Sequence, residues 1–81
     1  MSDAEIAAQL LDALQAAADR EADQETTLVS FTLDMLQRPK PGRIATNVTR
    51  KTRTLAFMSA EFVDEAGARI ATASSVHKVL S

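Results

Sequence analysis

The chain has 81 residues, 46% of them hydrophobic, and a net charge of −2 with no Cys. That is one domain's worth of sequence, and it excludes a disulfide scaffold, a thiolate metal site and the strong basic excess of a typical nucleic-acid binder. No run of eighteen apolar residues marks a membrane span, and no basic segment followed by an apolar one marks a secretory leader, so a cytoplasmic location is expected.

Ser2-Asp3-Ala4-Glu5 has the spacing of a capping box. The Ser2 hydroxyl can accept from the amide three residues on, and Glu5 can reach back to the Ser2 amide. The Ala-rich stretch that follows has high helix propensity and predicts a helix over about 3–22. Ile6, Leu10, Leu14 and Ala18 form one apolar row, widened by Leu11. Glu5, Asp12, Gln15 and Asp19 fall on the other, polar side.

From there the period changes to two, which predicts a strand over about 27–37 with Val29, Phe31, Leu33 and Met35 facing one way. Pro39, Pro41 and Gly42 break it. A second strand, about 43–51, puts Ile44, Thr46 and Val48 on one side. The polar residues 50–54 make the next connection. The third strand, about 54–64, is apolar on both faces, with Leu55 and Phe57 on one and Ala56, Met58, Ala60 and Phe62 on the other. Such a strand is expected to be covered on both sides. Asp64-Glu65-Ala66-Gly67 is a turn with Gly placed for positive φ. A last strand, about 68–80, ends the sequence. The expected class is α+β, one N-terminal helix packed on a four-stranded antiparallel sheet. The Ile6/Leu10/Leu14 row is the one surface available to cover that sheet. A domain this small often gains stability by oligomerising, so a self-complementary homodimer is expected.

The single His, His77, has no second His or Cys to share a typical metal ion and reads as an ordinary strand residue beside Ser75 and Val79. No nucleophile elbow and no Gly-rich phosphate loop is present. Basic residues gather between Arg38 and Arg53, at Arg38, Lys40, Arg43, Arg50, Lys51 and Arg53. That polarity suits a phosphorylated ligand, or is a solvated basic surface.

Four segments carry a resemblance. They are Leu36-Gln37-Arg38-Pro39, Arg50-Lys51-Thr52-Arg53-Thr54-Leu55, Asp64-Glu65-Ala66-Gly67 and Ala71-Thr72-Ala73. In this order the sequence resembles the hotdog-fold acyl-CoA thioesterases, in particular the phenylacetate-pathway type. The resemblance implies a hotdog domain that pairs edge to edge with a second copy and takes acyl-CoA thioesters. It implies that Asp12, within Leu10-Leu11-Asp12-Ala13-Leu14, is the base or nucleophile at the dimer interface. It also implies that Arg38, Arg50, Lys51 and Arg53 meet the phosphates or pantetheine arm of coenzyme A. No metal and no cofactor beyond that coenzyme A moiety is implied, nor is a nucleic-acid or membrane partner. The sequence departs from the family in three places. No His-Gly-Gly precedes Asp12, the family's first strand has no counterpart ahead of Ser2, and Thr52 stands where the family often has Gly. The alternative reading is a hotdog-type binding or assembly module without catalysis.

Overall fold

A computed structural model describes residues 1–80. The elements run α1 (Asp3–Ala22), β1 (Thr26–Met35), β2 (Gly42–Lys51), β3 (Leu55–Asp64) and β4 (Arg69–Val79). The N-terminus of α1 is fixed by the reciprocal capping box. The Glu5 amide donates to Ser2 Oγ at 3.1 Å, and the Ser2 amide donates to Glu5 Oε1 at 3.1 Å. The helix stops at Asp23, whose left-handed backbone (φ 54°) turns the chain and lets its amide bond back to Arg20 and Asp19 carbonyls. Among the described residues no helix is long and apolar enough to cross a membrane.

The four strands form one antiparallel sheet in the order β1-β4-β3-β2. β3 and β4 are therefore central, and β1 and β2 are both edges. Helix α1 lies across one face and touches every strand. Ile6, Leu10, Leu14, Ala17 and Ala18 pack there onto Ala56, Met58, Ala60, Phe62, Ile70, Ala71 and Ala73. The apolar row of the helix thus covers the sheet, because burying both stripes together removes the most apolar area from water.

Three irregularities shape the sheet. Val29 is a bulge in β1 against β4, and Thr49 is a bulge in β2 against β3. A third lies at Ile70, between the Phe62–Ala71 and Val63–Arg69 pairs. Each adds a residue to one strand, bending it and reversing the alternation beyond. At Val29 this corrects the period-two reading. The inward set of β1 is Thr26, Leu28, Phe31, Leu33 and Met35, judged by their partners on β4, and Val29 is left 59% exposed. A period of two holds only where no residue is added. At Ile70 the bulge buries two successive residues, Ile70 and Ala71.

The expectation that β3 is covered on both sides meets a different arrangement. Its Ala56, Met58, Ala60 and Phe62 side lies buried under α1, while Leu55, Phe57 and Val63 on the other side are half-buried. Among the described residues no element lies over that second face, and the flanking strands shade it from the sides only.

Gly42 starts β2 at a point of close backbone approach. A Cβ there would sit 1.9 Å from the Val63 carbonyl oxygen and 2.9 Å from Asp64 Cα. Both are backbone atoms, so neither can move aside as a side chain would. Gly42→Ala is expected to cost about 2–3 kcal/mol as an overpacking change, read as a lowered urea midpoint. A loss under about 0.5 kcal/mol, the range of a neutral surface substitution, would contradict this.

Candidate functional site

Asp12 stands on the exposed side of α1, two residues beyond the buried Leu10. Its neighbours one turn away, Ala8 and Ala16, are also exposed. Among the described residues its carboxylate has no hydrogen-bond or ion-pair partner. A carboxylate held on a rigid helix, uncommitted and open, can accept a proton or attack an electrophile brought to that face.

The basic residues separate into two ends. Arg50 and Arg53 are exposed at the β2–β3 hairpin, and Lys78 on β4 stands opposite Leu55 at the same end. Arg38 is exposed in the connection between β1 and β2, beside the opposite end of the sheet. Strands of this length place the two ends about 30 Å apart. One protomer therefore does not bring Arg38 to Arg50 and Arg53. Lys51, exposed on the helix side of the sheet, donates from Nζ to the Glu21 carbonyl at 2.7 Å. There it satisfies an orphan carbonyl at the negative end of the helix dipole. The hairpin closes without Gly: the Leu55 amide donates to Thr52 Oγ1 at 3.1 Å, and the Thr52 amide donates to the Leu55 carbonyl at 2.8 Å.

A groove of about 430 Å³ runs between the C-terminal half of α1 and edge strand β2. Ala17, Arg20 and Glu21 form one wall, Thr46 to Val48 the other, and Met58 lies at the base. Asp12 does not line it.

Under the helix lies a polar chain that the sequence reading missed. Gln15 and Asp19, which helical spacing puts on the polar side, turn inward over β1 and β4. Asp19 Oδ1 accepts from the Thr26 amide at 2.9 Å, from Thr26 Oγ1 at 2.7 Å and from Gln15 Nε2 at 3.0 Å. Gln15 Nε2 also lies within reach of the Thr26 carbonyl at 3.1 Å. Gln15 Oε1 lies 3.2 Å from His77 Nδ1, and His77 Nε2 lies 2.7 Å from Ser75 Oγ. His77 has no exposed surface, and Ser75 is buried as well. The signal available beforehand was the alternation in β4. Ala71, Ala73, Ser75, His77 and Val79 share the inward face, and a histidine there must find partners within the protein.

Hydrogen bonding from the Thr26 hydroxyl holds the Asp19 carboxyl below its ordinary 3.8, helped by the Thr26 amide and Gln15 and opposed by partial burial. A carboxylate with a depressed pKa stabilises the fold fully above its unfolded value, and that contribution is lost as pH falls through the folded one. Wild type is therefore expected to lose stability below about pH 3.8 more steeply than Asp19→Asn. At pH 6, Asp19→Asn is expected to be the weaker protein by about 1–2 kcal/mol. Urea titrations at both pH values check this, and parallel pH curves would contradict it.

No protein-family model matches the sequence, and no curated protein sequence matches it. Solved structures do. A protein of the thioesterase superfamily superposes with a TM-score of 0.87 at 16% identity, over 99% of this chain and 62% of its own. A Bacillus halodurans protein crystallised with CoA gives a TM-score of 0.87 at 12% identity, over 95% of this chain and 54% of its own. AziG of S. sahachiroi gives 0.80 at 25% identity, over 91% of this chain and 64% of its own. The chain spans 54–64% of the length of these proteins. One helix laid on an open four-stranded antiparallel sheet, superposing this well on such proteins, is the hotdog fold.

Proposed function

We propose that this chain is an acyl-CoA thioesterase-like domain, which takes an acyl-CoA thioester at an interface between two copies and hydrolyses it with Asp12. The observation that carries the reading is the superposition of nearly the whole chain on a protein crystallised with CoA. Three features support it. Asp12 is exposed and uncommitted on the helix. Both edge strands, β1 and β2, have an unpaired side in this chain and can take a second copy. Arg50 and Arg53 are exposed cations suited to phosphate oxygens.

The dimer also bears on Arg38. Antiparallel pairing of like edges about a two-fold axis sets the β1–β2 end of one copy beside the hairpin end of the other. Arg38 of one copy then approaches Arg50 and Arg53 of its mate, and the two ends form one phosphate-binding region. In the reaction, Asp12 takes a proton from the water that attacks the thioester carbonyl. The C–S bond breaks, coenzyme A leaves as the thiolate and a free acid is released. Attack by the carboxylate itself, followed by hydrolysis of the anhydride, uses the same residue.

A second reading is a binding module of the same fold without turnover. It is favoured by the absence, among the described residues, of any hydrogen bond or ion pair that would orient the Asp12 carboxylate. Purified protein incubated with a panel of aliphatic and aromatic acyl-CoAs tests the first reading, with free thiol as the readout. Calorimetry with CoA, and sedimentation for the dimer, complete the test. Turnover above background supports hydrolysis, and binding without turnover selects the module. Neither turnover nor binding would overturn both.

A further inference from the structure

The buried chain from Ser75 to Asp19 has no part in the proposed chemistry, yet its donors and acceptors can be followed atom by atom. Gln15 Nε2 faces three acceptors, Asp19 Oδ1, the Thr26 carbonyl and Thr26 Oγ1. That fixes the orientation of the amide, so Gln15 Oε1 faces His77 as an acceptor. His77 Nδ1 must then carry the hydrogen, and Nε2 is left to accept from the Ser75 hydroxyl. The neutral imidazole satisfies every group, and no buried side-chain polar atom among the described residues lacks a partner.

A proton added at Nε2 breaks this arrangement. Both ring nitrogens become donors, the Ser75 hydroxyl must reverse, and its own hydrogen loses its acceptor. A cation then sits where no ring atom reaches water. The groups facing it offer little compensation. From α1, Asp19 is the charged group that acts on His77, but its Oδ1 already takes three donors. β1 presents Leu28 opposite and Thr26 beyond it, and β3 presents Ala56. β2 presents Lys51 across Ala56, with its ammonium drawn off to the Glu21 carbonyl.

We propose that this chain is a protonation-sensitive latch: neutral His77 seats the C-terminal half of α1 on β1 and β4, and proton uptake by His77 releases that half. Thr26, Ser75 and His77 stand in the β ladders, but what ties them to α1 is the hydrogen bonding of the Gln15 and Asp19 side chains, so opening is confined to the helix end. The proposal does not depend on what Asp12 does. The sign is set by burial, which holds the His77 pKa below its ordinary 6.5 while Asp19 pulls the other way. The latch is therefore closed above about pH 6.5 and opens as pH falls below that toward the folded-state pKa.

His77 is the one histidine in the chain, so its imidazole proton resonance reports proton uptake without ambiguity. Amide hydrogen exchange of the same sample, corrected for intrinsic rates, reports opening. Protection across residues 14–22 is expected to fall by up to about tenfold per pH unit between about pH 6.5 and the pH at which the folded imidazole titrates. Protection in β3 and β4 should hold. His77→Gln keeps a donor and an acceptor but cannot titrate, and its helix protection is expected to be flat with pH. Should that variant fail to fold, Ser75→Ala serves instead. It removes a hydrogen bond that favours the neutral ring, so the imidazole should titrate at higher pH and the window of helix loosening should narrow from its acid side. An imidazole that titrates at or above 6.5 with unchanged helix protection would overturn the latch. So would the same pH dependence in His77→Gln, or a Ser75→Ala protein whose imidazole titrates at higher pH while its helix loosening keeps the wild-type acid limit.

Discussion

Replacing Phe62 by Ala is expected to remove about 3–5 kcal/mol of stability. Phe62 is 1% exposed and is the largest of the fully buried side chains. It stands on β3 between Ile44 of β2 and Ala71 of β4, under α1. The cost of such a truncation depends on how far the surroundings can collapse into the void. Here much of the rest of the core is small: Ala17, Ala18, Ala56, Ala60, Ala71 and Ala73 have no length to reach inward. A chain of this size has roughly 4–12 kcal/mol in total, so the variant should be close to unfolded at room temperature without a ligand. Denaturant titration against wild type measures the loss. A value near 1 kcal/mol would mean that the helix settles onto the sheet and fills the space.

The second large effect concerns chemistry rather than folding. On the acyl-CoA reading, Asp12→Asn is expected to lower kcat for thioester hydrolysis about a hundredfold or more, the scale of losing a general base. The same substitution should leave the thermal midpoint nearly unchanged. Asp12 is exposed, and among the described residues it has no partner to lose, so its removal is a surface change worth at most about 0.5 kcal/mol. The contrast separates a catalytic role from a structural one, since a variant that loses both activity and stability is not informative about the base. Full activity in Asp12→Asn would remove Asp12 from the mechanism and leave the fold assignment untouched.

The order of the elements was legible in the residues because each rests on local chemistry. Ser2 and Glu5 are three apart, so the capping box is written in the sequence and forms as read. Ile6, Leu10 and Leu14 repeat at helical spacing, and all three are buried. The α+β class and the hotdog arrangement follow from these patterns and from the resemblance, and the superpositions agree with them.

What only the tertiary structure decided depends on contacts between distant residues. Period-two reading carries no information on where a strand bulges, so it puts Val29 on the wrong side and is silent on the burial of Ile70. A polar residue on a helix reads as solvated unless a partner far along the chain is known. Gln15 meets His77 across 62 positions of sequence, and Asp19 meets Thr26 around the helix end. The basic residues form one cluster in sequence, but a strand ten residues long carries the chain between Arg38 and Arg50 and sets them at opposite ends of the sheet. Sequence alone determined which segments are helix and strand and which face of the helix is apolar, because those are short-range properties of the chain. Packing decided which polar groups were drawn inside, because a buried donor must be matched with an acceptor wherever the fold supplies one.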